Sequence, residues 1–227
     1  MLRFLLQVLI LALSSLMAAQ DATVRGTVNV LHHASNASGS ADVIIWLTPS
    51  GPAGAVTPSA MVRLVQKDKR FTPHVLAVTV GTQIEFPNQD PFFHDVFSIY
   101  RGKPFDLGLY ESGTARKIQF SQPGVSYIFC NIHPQMNAVV VVLKTAHFAI
   151  TGKDGSLRIG HLTPGQYKLE AWYEFASDSE LAALSRDIEI TPGENTLGTI
   201  TVHSSDAPKD HLNKYGETYS PGETEKY

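Results

Sequence analysis

Cys130, His133 and Met136 lie within the string Y-I-F-C-N-I-H-P-Q-M-N-A-V-V-V-V, flanked by two apolar runs. A loop between two strands can turn a thiolate, an imidazole and a thioether toward one point without bending either strand. Soft sulfur beside imidazole suits copper, and two His with one Cys in a near-trigonal plane under a long axial Met is the blue-copper arrangement. The loop holds one imidazole, so the second has to come from elsewhere. The best candidate is His94 in F-P-N-Q-D-P-F-F-H-D-V-F-S, just beyond an N-Q-D-P turn that follows T-Q-I-E-F. A residue placed there can sit on a neighbouring strand at the same end of a sandwich as the loop. Ligands this far apart in sequence form a site that exists only when the chain is folded. Zinc is the rival metal, since Cys with two His suits it too. A thioether is a poor zinc ligand, however, and zinc would call for a further nitrogen or oxygen.

Cys130 is the sole cysteine of the 227 residues. The N-terminus places Arg3 before an apolar run from Phe4 to about Leu13, then small residues. That is the form of a secretory signal peptide, assigned to residues 1–19, and it is too short for a membrane span. Export to the periplasm is expected, with no stable membrane insertion after cleavage. Exported proteins use cysteines in pairs, so a lone thiol there is either buried and inert or occupied by a metal.

The elements that must position these residues read as strands. T-V-R-G-T-V-N-V, A-D-V-I-I-W-L, V-L-A-V-T-V, T-Q-I-E-F, R-K-I-Q-F, V-S-Y-I-F and A-V-V-V-V-L alternate or run apolar between Gly, Pro, Asn and Asp. The one helix-like stretch is S-D-S-E-L-A-A-L-S near residues 177–185, with Ser or Asp as its cap. The fold class is therefore all-β, with sandwiches favoured. A hydrophobic fraction of 43% can build real cores. With 18 Lys and Arg against 21 Asp and Glu, and no basic cluster longer than Lys67-Asp68-Lys69-Arg70, nucleic acid is an unsuitable partner.

The first domain is expected over residues 22–144 and the second over 145–203, although residues 22–50 could complete either. Asp154-Gly155 signals a hairpin between two short apolar runs. Residues 204–227 are polar, charged and rich in turn formers, and are expected to be disordered because they cannot bury enough apolar area to offset ordering.

C-N-I-H-P-Q-M, with Pro134 after the His, resembles the copper loop of amicyanin, and the stretch from Phe71 to Phe97 resembles the first-His region of plastocyanins, pseudoazurins and amicyanin. The resemblance spans roughly Arg70 to Lys144. It implies a cupredoxin Greek-key sandwich, one type 1 copper, His94, Cys130 and His133 as equatorial ligands, and Met136 as the axial one. The segment His147 to Trp172, and on to His203, resembles a smaller transthyretin-like sandwich of the carboxypeptidase regulatory type. These copper proteins carry Asn directly after the first ligand His, where its amide ties the two ligand-bearing segments together. Here the residue is Asp95, and a carboxylate donates no hydrogen bond unless protonated.

The function so implied is single-electron transfer without enzymatic turnover. The edge of His133 should reach the surface, and a protein redox partner should dock beside it, near Pro134, Phe92 and Phe93. Copper storage or delivery, and a pure binding module, are the competing readings.

Overall fold

The computed structural model describes residues 21–32, 40–51, 54–99, 103–205 and 211–219, so the signal peptide at 1–19 lies outside the described residues. Along the chain run β1 (Ala22–His32), β2 (Ile44–Pro49), β3 (Val62–Arg63), β4 (Val65–Lys67), β5 (Arg70–Thr72), β6 (Val75–Thr79), β7 (Thr82–Pro87), β8 (His94–Ser98) and β9 (Phe105–Tyr110). There follow β10 (Ala115–Phe120), β11 (Gly124–Cys130), β12 (Asn137–Leu143), β13 (Phe148–Ile150), β14 (Ser156–Leu162), β15 (Gly165–Trp172), α1 (Asp178–Leu184), β16 (Arg186–Ile190) and β17 (Gly193–Ser204). Among the described residues the protein is all-β apart from α1. Ser177 caps that helix by accepting the Glu180 N–H, as the sequence pattern indicates.

A five-stranded sheet, β6-β12-β11-β8-β9, and a three-stranded sheet, β10-β7-β3, enclose one core. Phe86, Phe120, Ile84, Val96 and Ile128 fill it, and Cys130 and Met136 stand at its edge in sequence yet inside it in space. The sheets β14-β1-β17 and β13-β2-β15-β16 enclose a second core around Leu47, Val28, Leu169 and Val202. A third cluster joins the two sandwiches, with Val139, Val141 and Leu143 of β12 meeting Ile44 and Trp172. Both faces of β12 are thus buried, which is why its sequence runs V-V-V-V-L without alternating.

Two expectations about chain organisation are corrected. The first domain is expected over residues 22–144, but β1 and β2 do not complete the sandwich that holds Cys130. β1 pairs in parallel with β17 from Ala22–Gly193 to His32–Ser204, and β2 pairs with β15, so the N-terminal strands complete the C-terminal sandwich. An alternating strand advertises one apolar face but not its partner, and this partner lies at the far end of the chain. Asp154-Gly155 forms a turn, but β13 and β14 do not pair with each other. β13 joins β2 and β14 joins β1, so the turn crosses between sheets. Gly155 has a positive φ of 70°, and a Cβ there would collide with the Val28 carbonyl oxygen. The crossing needs glycine for close approach as well as for φ.

No helix among the described residues is long and apolar enough to cross a membrane.

Candidate metal centre

Strand pairing brings the distant residues together. β11 lies beside β8, with Cys130 opposite Val96, so the end of β11 meets the start of β8, where His94 stands. The Asn131 N–H donates to the Asp95 carbonyl oxygen at 2.8 Å, fastening the loop to β8. The loop is closed by Cys130 N–H to the Met136 carbonyl oxygen at 3.2 Å and by Met136 N–H to the His133 carbonyl oxygen at 2.9 Å. The tie that an amide side chain would give after His94 is therefore made by the backbone of Asp95.

His94 Nδ1 lies 3.5 Å from Cys130 Sγ, and His133 Nδ1 lies 3.6 Å from it. The ligand-capable atoms of His94, Cys130 and His133 all fall within 4.8 Å of one another. All three side chains are fully buried, as is Met136, which belongs to the same apolar cluster as Cys130. Burial pushes the Cys130 thiol above its usual range. Burial lowers His94, against the opposing pull of Asp90, and lowers His133 to about 4. Near neutral pH the group is therefore one thiol and two neutral imidazoles. Metal–ligand bonds of about 2.0–2.3 Å at trigonal to tetrahedral angles leave nitrogen and sulfur about 3.5–3.8 Å apart. The observed separations fit that requirement, and uptake of a metal would release the thiol proton.

No family model matches the chain, and a search of curated proteins finds no match. Solved structures do resemble part of it. One is a copper-containing nitrite reductase of Thermus scotoductus, at 30% identity over 43% of this chain and 26% of that one, with a TM-score of 0.36. Others are a purple cupredoxin of Nitrosopumilus maritimus (23% identity, 36% of this chain, 99% of that chain, TM-score 0.33) and a reduced amicyanin variant (20%, 41%, 87%, 0.34). This chain thus spans about a quarter of the nitrite reductase's length.

Several groups around the site were not apparent in the sequence. Asp90 Oδ2 accepts from His94 Nε2 at 2.9 Å, and both side chains are buried. Asp95 is buried as well, and its Oδ2 pairs with Lys214 Nζ at 2.8 Å, while Lys214 also reaches Asp106 at 3.0 Å. Burial pushes the Asp95 carboxyl up and Lys214 opposes it; burial in turn opposes charge on Lys214, but its two carboxylates outweigh that and hold the ammonium above the usual lysine range.

Lys214 belongs to the tail expected to be disordered, and for residues 211–219 that expectation is corrected. The His211 ring stacks on Phe129 with centroids 4.0 Å apart and its Nε2 donates to the Pro134 carbonyl oxygen at 2.7 Å. The Lys214 N–H donates to Asn131 Oδ1 at 3.1 Å, and the Tyr219 hydroxyl donates to the Cys130 carbonyl oxygen at 3.0 Å. Polar contacts to the loop, and the cation that Asp95 needs, offset the ordering that apolar burial could not.

His133 also departs from expectation. Its ring does not reach solvent: it is fully buried, with Phe92 at 5.3 Å and His94 at 5.0 Å between ring centroids. Phe92 lies against both imidazoles, and Lys69 Nζ sits 5.4 Å from the Phe92 ring centroid.

Proposed function

We propose that this chain is an exported single-copper protein that carries electrons one at a time, with copper held by His94, Cys130, His133 and Met136. The observation that carries the reading is the convergence of two neutral imidazole Nδ1 atoms on one buried thiol sulfur, beside a buried Met. Copper bound to two nitrogens, one thiolate and a weak thioether changes oxidation state with little rearrangement. The chain's own residues hold the donors in place without metal, keep the imidazoles unprotonated and exclude water. Full enclosure of all four side chains favours a resident ion over one that is handed on, so storage or delivery is the weaker reading.

A protein redox partner is proposed to dock at this end of the sandwich. Phe93, 44% exposed, and the half-buried Phe92 and Pro134 supply apolar contact there. Since His133 is enclosed, electrons would leave through the Phe92 side and not by direct contact with the imidazole.

Addition of Cu(II) to the metal-free protein should give an intense visible thiolate-to-copper band, absent in Cys130→Ser. A mild chelator should remove copper slowly. A colourless adduct, or colour that survives in C130S, overturns the reading, and rapid loss to chelator turns it toward delivery.

A further inference from the structure

Asp90 is buried and is used twice. Its Oδ1 accepts the Asp68 N–H at 2.6 Å, and its Oδ2 accepts both the Lys69 N–H at 3.0 Å and His94 Nε2–H at 2.9 Å. Asp68 and Lys69 are the two residues between β4 and β5, and both hold positive φ, 54° and 55°. Neither is glycine. A two-residue turn with both positions left-handed is a type I′ hairpin turn, costly for such side chains unless its N–H groups are claimed. The carboxylate claims them and binds the turn to His94. Asp90 is itself oriented by its own N–H donating to Asn88 Oδ1 at 3.0 Å. Asn88 Nδ2 in turn donates to the Phe92 carbonyl oxygen at 2.8 Å.

We infer that Asp90 is a positioning residue for the metal centre: it fixes His94 as the Nε2-protonated tautomer, with Nδ1 left free toward Cys130, and places a full negative charge on the far side of that ligand. The inference rests on the copper reading above for its redox consequence, but not for its tautomer. A ligand imidazole whose remote N–H is given to a carboxylate is oriented by it and becomes a stronger donor. Stronger donation and nearby negative charge both favour Cu(II) over Cu(I). His94 gains this by a side chain four residues upstream, across a turn and not along a helix.

The test compares wild type with Asp90→Asn, which keeps size and one acceptor but removes the charge. In the metal-free protein, nitrogen NMR should find His94 protonated at Nε2 with a strongly downfield proton, which moves upfield in D90N. In the copper-loaded protein, D90N should lower the ratio of Cu(II) to Cu(I) affinity by about tenfold, equal to a rise in potential of about 59 mV for one electron. A purely structural role for Asp90 would lower the melting temperature but leave both the proton resonance and the potential unmoved. Protonation of His94 at Nδ1 in wild type overturns the inference, and does so even if D90N does not fold. An unchanged affinity ratio in a folded D90N also overturns it. If wild type binds no copper as a blue adduct, the copper reading fails, while the NMR arm still decides the role of Asp90.

Discussion

The two imidazoles of the site are held by different physics. His94 stands on β8, in register with β11, and its Nε2 is hydrogen-bonded to a buried carboxylate that is itself anchored to a hairpin turn. His133 stands on the loop after β11, and its buried Nε2 makes no hydrogen bond among the described residues. One ligand is fixed by electrostatics and hydrogen bonds, the other by loop closure and contact with Phe92. The difference teaches that burial alone does not preorganise a ligand. Perturbing charge should act through the His94 side, and perturbing volume through the His133 side.

The largest effect is expected from Lys214→Ala. It leaves the Asp95 carboxylate buried beside His94 without its cation, and removing one partner of a buried pair costs about 3 kcal/mol or more. The part-exposed Asp106 end of the network places the expected loss near the lower end of that range. Asp95→Asn in the same chain should recover most of it, because no buried charge is then left unpaired and Asp106, half-exposed, keeps its water. Chemical denaturation of the two single variants and the double variant measures the coupling. Additive losses would show that Lys214 acts through the tail's other contacts and not through Asp95.

Phe92→Ala should cost about 2 kcal/mol, below the range for a fully buried Phe because its ring is half-buried. Its particular signature should be at His133: ring mobility rises and copper is lost faster to chelator, while His94, which the ring also touches, keeps its Nε2 proton on Asp90 and its ring ordered. Equal disturbance of both imidazoles would break the comparison between a bonded ligand and a packed one.

Much of this site was legible because its signals are local. Cys130, His133 and Met136 sit within one loop bounded by apolar runs, and a lone thiol in a chain expected to be exported demanded a purpose. His94 was legible from the turn that precedes it. Asp90 was not, since a carboxylate four residues before a His suggests a pair only on a helix, and here a turn brings them together. Lys214 was hidden for a different reason. Its segment has the composition of a disordered tail, and what orders it is a buried charge more than a hundred residues away. The parallel pairing of β1 with β17 is likewise non-local. An alternating strand shows which face it buries and leaves open against what.

Acid sharpens the comparison without mutation. The His133 pKa is lowered to about 4 from an ordinary 6.5, and that of His94 is lowered as well, in both cases chiefly by burial. The unfolded chain then binds protons that the folded chain refuses. The stability of the metal-free protein should fall as pH drops from 6.5 toward 4, by up to about 1.4 kcal/mol per pH unit for His133. His94 should resist protonation less than its burial alone implies, because Asp90 would welcome the charge. NMR titration should therefore protonate His94 before His133, and the reverse order would remove the electrostatic distinction between them.

The smallest effect lies where the ligand loop leaves for β12, and its sign is opposite. His74 Nδ1 donates to the carbonyl oxygen of Asn137, next to Met136, at 3.2 Å, and its Nε2 meets Glu174 of the other sandwich at 2.6 Å. A neutral imidazole carries one N–H and can donate to only one of these acceptors; the imidazolium donates to both. The hydrogen bond to Glu174 leads in holding the His74 pKa above its ordinary value, against burial. A raised folded-state pKa means that the pair's stabilisation is fully present below about 6.5 and is lost as pH climbs through the folded value. His74 is 40% exposed, so solvent screening keeps the contribution under about 1 kcal/mol. Glu174→Gln should therefore destabilise the protein by that amount at pH 6 and have almost no effect at pH 9. If the variant also loosens copper retention at pH 6, the second sandwich helps set the exit of the His133 loop, and packing around His133 extends across the junction. If retention is unchanged while stability falls, the His133 side is closed by Phe92 and its own loop alone.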